Sequence, residues 1–130
     1  MGACVTYTRP LCLHENMMSV DFYIQCRGES TITHLNMSNF NAAELLEWIG
    51  LIHEGLWEGN PIPARKVAPL CRRRLWDTPR NWDPELPAKK EGRMHFCGRP
   101  AGYLREKTWQ LLLICEHAIA KSPDATIYWG

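Results

Sequence analysis

No apolar run in this 130-residue chain is longer than the five residues from Leu111 to Cys115, against the roughly 20 that a membrane-spanning helix needs. A helical membrane anchor is therefore not expected. The N-terminus, Met1-Gly2-Ala3-Cys4, shows neither the basic segment nor the apolar stretch of a secretory signal. The expectation is a cytoplasmic protein with no membrane partner. Also missing are a phosphate-binding glycine loop, a His-Glu-x-x-His pair and a Gly-x-Ser-x-Gly elbow. No internal repeat or low-complexity tract is present.

What is there is ordinary globular material: 45% apolar and 22% charged residues, enough for one modest core in one domain spanning residues 1–130. Six cysteines (Cys4, Cys12, Cys26, Cys71, Cys97 and Cys115) would frame three disulfides in an exported scaffold. Without an export signal they read as reduced thiols, with Cys26 and Cys115 at core positions. The net charge of +1 conceals an asymmetry. Residues 1–60 carry two basic and seven acidic side chains, whereas residues 61–107 carry twelve basic and five acidic ones. A dipolar charge distribution of this kind biases which partners are attracted.

Period-two alternation from Ser19 to Cys26 puts Val20, Phe22, Ile24 and Cys26 on one face of a half-buried strand. Arg27 to Ser30 supplies a turn, and the β-branched segment Thr31 to Leu35 returns as the second arm of a hairpin. Asn36 to Asn41 is rich in side chains that bond back to their own backbone, with Asn41 or Asn39 as the cap of a helix from Ala42 to about Leu51. Gly50 is placed to end that helix. Residues 52–62 read as loop, and a second helix from Pro63 to Trp76 must bend or begin at Pro69. Residues 77–101 hold Pro79, Pro84, Pro87 and Pro100 and read as a long, irregular, basic excursion. From Gly102 to Lys121, Leu104, Thr108, Leu111, Leu112, Cys115, Ala118 and Ile119 share one helical face. Thr126 to Trp129 then forms a last strand that joins the hairpin. The expected fold is α+β, a small antiparallel sheet packed by two to three helices.

The segment Asn36-Met37-Ser38-Asn39-Phe40-Asn41-Ala42, followed by Leu45-Leu46 and Ile49-Gly50-Leu51, and the terminal Trp129-Gly130, resemble a group of small uncharacterised bacterial and phage-borne proteins. Those proteins share an N-x-S-N-x-N-A segment, an L-L-x-x-I-G-L segment and a closing helix and strand. The resemblance implies an α+β fold and a mobile-element origin, and it assigns no activity.

Several constellations are candidates for chemistry. Cys12 with His14 and His95 with Cys97 offer thiolate and imidazole donors for zinc, although the usual cysteine knuckle is absent. Cys97, between Arg93 and Arg99 with His95 nearby, is a candidate nucleophile, since positive neighbours lower a thiol pKa. Glu44 and Glu47 read as a cap and a solvated face, and His117 as a partner of a helix C-terminus. Neither metal nor cofactor is expected, and the balance leans away from an enzyme.

The basic block is the leading candidate. Arg72-Arg73-Arg74 precedes Trp76, and Arg80, Trp82, Lys89, Lys90, Arg93 and Arg99 follow. Arginine interleaved with tryptophan serves protein recognition as a hot spot, or nucleic acid through phosphate contacts and base stacking. A third reading places Trp76 in the core beside a solvated arginine face. The expected partner-binding set is Arg72, Arg73, Arg74, Trp57, Trp82, Arg80, Lys89, Lys90 and Arg93, directed at a protein or complex with an acidic surface. With the resemblance, that reading extends to inhibition of a host complex by a mobile element.

Overall fold

β1 (Ser19–Cys26) and β2 (Glu29–Ser38) form an antiparallel hairpin closed by Arg27 and Gly28, whose φ values of 54° and 82° define a type I′ turn. The computed structural model describes residues 19–51, 61–79, 82–92, 94–96 and 98–130. The ladder slips between Asp21 and Tyr23. At that bulge the Thr33 hydroxyl donates to the Phe22 carbonyl (2.7 Å) and accepts from the Leu35 amide (3.2 Å), so the broken ladder is patched by a side chain.

β2 is longer than its β-branched segment suggests. Leu35 and Met37 are both buried, so the period of two continues through Asn36, whose amide donates to the Asp21 carboxylate at 2.6 Å. The strand then becomes α1 (Asn39–Trp48) without a loop. Ser38, extended at ψ 156° and still paired with Ser19, is the N-cap, and its Oγ accepts from the Asn41 amide at 3.2 Å. Neither Asn41 nor Asn39 caps the helix, because the backbone that a cap needs is already supplied by the end of the strand. The C-terminus follows the Schellman pattern. Gly50 (φ 96°) donates to Glu47 O at 3.0 Å and Leu51 to Leu46 O at 3.1 Å, with Leu46 and Leu51 both buried.

The remaining elements are β3 (Ile62–Pro63), α2 (Ala64–Asp77), β4 (Lys89–Glu91), β5 (Met94–Phe96), α3 (Tyr103–Lys121) and β6 (Thr126–Trp129). The sheet order is β2-β1-β6-β3, antiparallel throughout, with Phe22 opposite Trp129 and Ile127 between Ile24 and Ile62. The fold is α+β. Val20, Phe22, Leu35, Met37, Ile62 and Ile127 share one core cluster with the buried side chains of all three helices. Each such side chain contributes about 1.5–3 kcal/mol on burial. On the opposite face the rings of Tyr23 and Tyr128 stack 4.9 Å apart, and the Tyr128 hydroxyl meets that of Ser30.

Pro69 lies inside α2 and is exposed, so the bond lost with its missing amide faces water and α2 continues. The excursion over 77–101 is less irregular than expected. It contains the two-stranded ribbon β4–β5, and Leu86 and Arg99 close its base with paired backbone bonds of 2.8 and 2.7 Å. Gly98 (φ 76°) is required there, because a Cβ would lie 2.5 Å from both Ala88 N and Leu86 O.

Cys71 and Cys115 are free and buried where α2 meets α3, and Cys26 is half-buried rather than in the core. Burial raises the Cys115 thiol from 9.0 to about 12, with the Glu116 carboxylate adding to the rise. Burial likewise raises Cys71, with a further push from Cys115. A group ionising only above its unfolded pKa contributes stability that is full below that pKa and falls as pH rises. The thermal midpoint is expected to drop as pH is raised from 9.0 towards about 12. Cys71→Ala with Cys115→Ala should flatten that slope in a melt series, and an unchanged slope would refute the assignment.

Candidate interaction surface

Exposed cations on α2 follow from helical spacing. Arg65, Lys66, Arg72 and Arg73 are exposed, Arg74 is half-buried, and Val67, Leu70 and Cys71 face the core. Trp76, one turn beyond Arg72 and Arg73, is 88% exposed, which excludes its packing into the core. Across from it on α3, Trp109 lies beside the buried stripe and is 53% exposed. The two indoles line one open cleft of about 810 Å³ between α2 and α3, floored by Leu75 and Leu112.

Two polar junctions hold the cleft's walls. The Arg105 guanidinium donates to the carbonyls of Leu75 (2.9 Å) and Thr78 (3.2 Å), satisfying the C-terminal end of α2. At the start of α3, Gly102 (φ 78°) has no side chain to cap with, and buried Asp83 substitutes. Its Oδ2 accepts from the Arg105 amide at 2.9 Å, and its carbonyl accepts from Gly102 at 2.8 Å. The electrostatics of the cleft are mixed. Arg72 meets Glu116 through Nε (3.3 Å) and Nη2 (3.0 Å) on one carboxylate oxygen, and Asp77 and Glu106 lie in the lining.

The sequence-derived binding set is therefore only partly brought together. Arg72 and Arg73 line the cleft. Trp82, 42% exposed, instead lies flat on Trp48, with ring centroids 4.9 Å apart and an interplanar angle of 4°. Lys89 and Lys90 are exposed on the separate ribbon. Trp57, Arg80 and Arg93 lie outside the described residues, as do Cys12, His14, Cys97 and the side chain of His95. Among the described residues no three His, Cys, Asp or Glu side chains form a metal-donor group, and no helix is long and apolar enough to cross a membrane.

Arg99 is a structural residue rather than part of a solvated basic block. Its side chain is 7% exposed and donates from Nη1 to Glu44 Oε1 (2.8 Å) and Asn41 Oδ1 (3.0 Å). Asn41 in turn donates to Gly98 O at 3.2 Å, so α1 grips the base of the ribbon. Glu44 is thus a partner of Arg99 rather than a helix cap. Trp109 is the functional candidate that sequence reading passed over. Its signal was present, since it is a large aromatic on a clear helix adjacent to Thr108 but outside the apolar stripe.

Arg99→Ala is expected to lower stability by about 1–3 kcal/mol in urea unfolding, because buried Asn41 loses a charged donor. Asp83→Ala should cost about 1–2 kcal/mol through the lost cap of α3. Losses under a few tenths of a kcal/mol would show that these contacts do not hold the junctions. Comparison with protein-family models, with curated proteins and with solved structures finds no match to this chain.

Proposed function

We propose that this chain is a non-catalytic binding module that docks an acidic protein surface in the α2–α3 cleft. One observation carries the reading: Trp76, 88% exposed, and Trp109, 53% exposed, line the same cleft beside Arg72 and Arg73. Leaving an indole almost wholly in water forgoes about 2–3 kcal/mol of burial. Tryptophan and arginine are also the residues most often found as interface hot spots.

A protein partner fits the cleft better than nucleic acid does. Arg72 is already paired with Glu116, Arg105 is engaged by backbone carbonyls, and Asp77 and Glu106 would repel phosphates. What is left is apolar and aromatic surface, with the exposed Arg73 of the lining available to carboxylates. Arg74, half-buried on α2, is not among the lining residues. On the resemblance to phage-borne proteins, such a module would inhibit or remodel a host complex.

The test is affinity capture of the tagged chain from lysate, with and without nuclease, comparing wild type with Trp109→Ala and Arg73→Glu. A stoichiometric protein partner should survive nuclease and be retained about tenfold less by each variant, with circular dichroism melts unchanged. Loss of every co-purifying species on nuclease treatment would transfer the site to nucleic acid. Undiminished capture by folded variants would refute the cleft as the site.

A further inference from the structure

We propose a second binding site, independent of the α2–α3 cleft: a groove between β2 and α3 that takes an extended, acidic peptide segment as an added strand. The two edges of the sheet are guarded unequally. β3, at one edge, is two residues long and includes Pro63, which has no amide to offer. β2, at the other, is ten residues long, contains neither proline nor lysine, and has no strand beyond it among the described residues. A two-residue turn makes Cys26 and Glu29 the first bonded pair, so Glu29 and Thr31 direct their backbone groups towards β1. Ser30 and Ile32 therefore direct theirs to the open side. Ile32 is also 57% exposed. The regular ladder before the bulge runs from Glu29 to Ile32, and an exposed edge stretch of this kind is what an added strand pairs with.

The edge also borders a cleft. Between the hairpin and the C-terminal half of α3 lies a space of about 1230 Å³, with Ile24, Leu113 and Ile114 among its apolar residues. That is larger than the roughly 300–1,000 Å³ typical of small-molecule sites, and it lies alongside a strand. An extended segment fits both features, since its backbone can pair with Ser30 and Ile32 while alternate side chains enter the cleft.

Charge specifies the segment. Arg27 and Lys121 line the cleft together with His34 and His117, whereas one of its two carboxylates, Glu116, is already held by Arg72. Arg27 is the single non-glycine residue with positive φ among the described residues. It occupies a turn position that favours asparagine, aspartate or glycine, at a cost on the order of 1 kcal/mol. An arginine kept there against local preference holds a guanidinium at the groove, which suits an acidic residue in the incoming strand. A second copy of β2 carries a single apolar side chain, Ile32, from Glu29 to Thr33, where the cleft calls for alternating apolar ones, and is the poorer match.

The experiment pans a displayed library of random dodecapeptides against the full chain and measures recovered peptides by fluorescence anisotropy. Enriched peptides should alternate apolar residues and carry at least one acidic residue. Their affinity should fall about tenfold in Ile32→Pro, which removes an edge amide, as expected for losing one or two backbone bonds. Leu113→Glu, on an exposed position of α3, should weaken them comparably and covers the case in which Ile32→Pro fails to fold. Trp109→Ala should leave binding unchanged, which separates failure here from failure of the α2–α3 reading. Bound peptide should also slow hydrogen exchange at the Ser30 and Ile32 amides. No enrichment, binding that survives Leu113→Glu, or loss confined to Trp109→Ala would overturn the proposal. A dimer whose Ser30 and Ile32 amides are already protected would overturn it too.

Discussion

The position of β6 decides most of this structure. The last four-residue strand lies between β1 and β3 rather than at an edge, so both ends of the described chain meet in the middle of the sheet. Ile127 is buried between Ile24 and Ile62, and Trp129 packs beside Phe22. To deliver β6 there, α3 must run back across the sheet, which presses it against α2 and creates the Trp76–Trp109 cleft. The same arrangement leaves β2 at an edge with α3 beside it. Both proposed surfaces are thus consequences of one strand's place.

The helices depend on groups supplied from elsewhere in the chain. α3 begins at a glycine and borrows its cap from Asp83, and α2 ends on carbonyls satisfied by Arg105. Because Arg105 gives its amide to Asp83 and its guanidinium to α2, one residue ties three segments together. Arg99 does the comparable task for α1 and the ribbon. Asp83 Oδ1 and Arg99 Nε are buried without partners among the described residues, which offsets part of what the other contacts of these side chains contribute.

The two surfaces differ in chemistry. The α2–α3 cleft is aromatic and suits side-chain anchors that fill it, whereas the β2 groove offers backbone groups and a cationic end. The two proposals therefore call for different occupants, a folded surface at the cleft and an extended segment at the groove. Cys71 and Cys115 serve as packing residues between α2 and α3, and their burial favours the protonated thiol.

Local pattern was enough for the elements whose signal is periodic. The alternation of Val20, Phe22 and Ile24, and the stripe from Leu104 to Ala118, determined a strand and a helix because burying one face admits only one period. It was not enough where a competing interaction came from far away. Asn36 and Ser38 look like turn residues, yet burial of Met37 drew them into β2 and made Ser38 the cap. Arg99 read as part of a basic block, yet it is spent on Glu44 and Asn41, some 55 and 58 residues away in the chain. Trp76 and Trp109 share a cleft only because β6 forces α2 and α3 together. The sequence by itself determined which faces must be buried. Which exposed residues meet, and which polar groups are already satisfied, was decided by tertiary structure, because charge and hydrogen-bonding partners are set by distance in space and not by spacing along the chain.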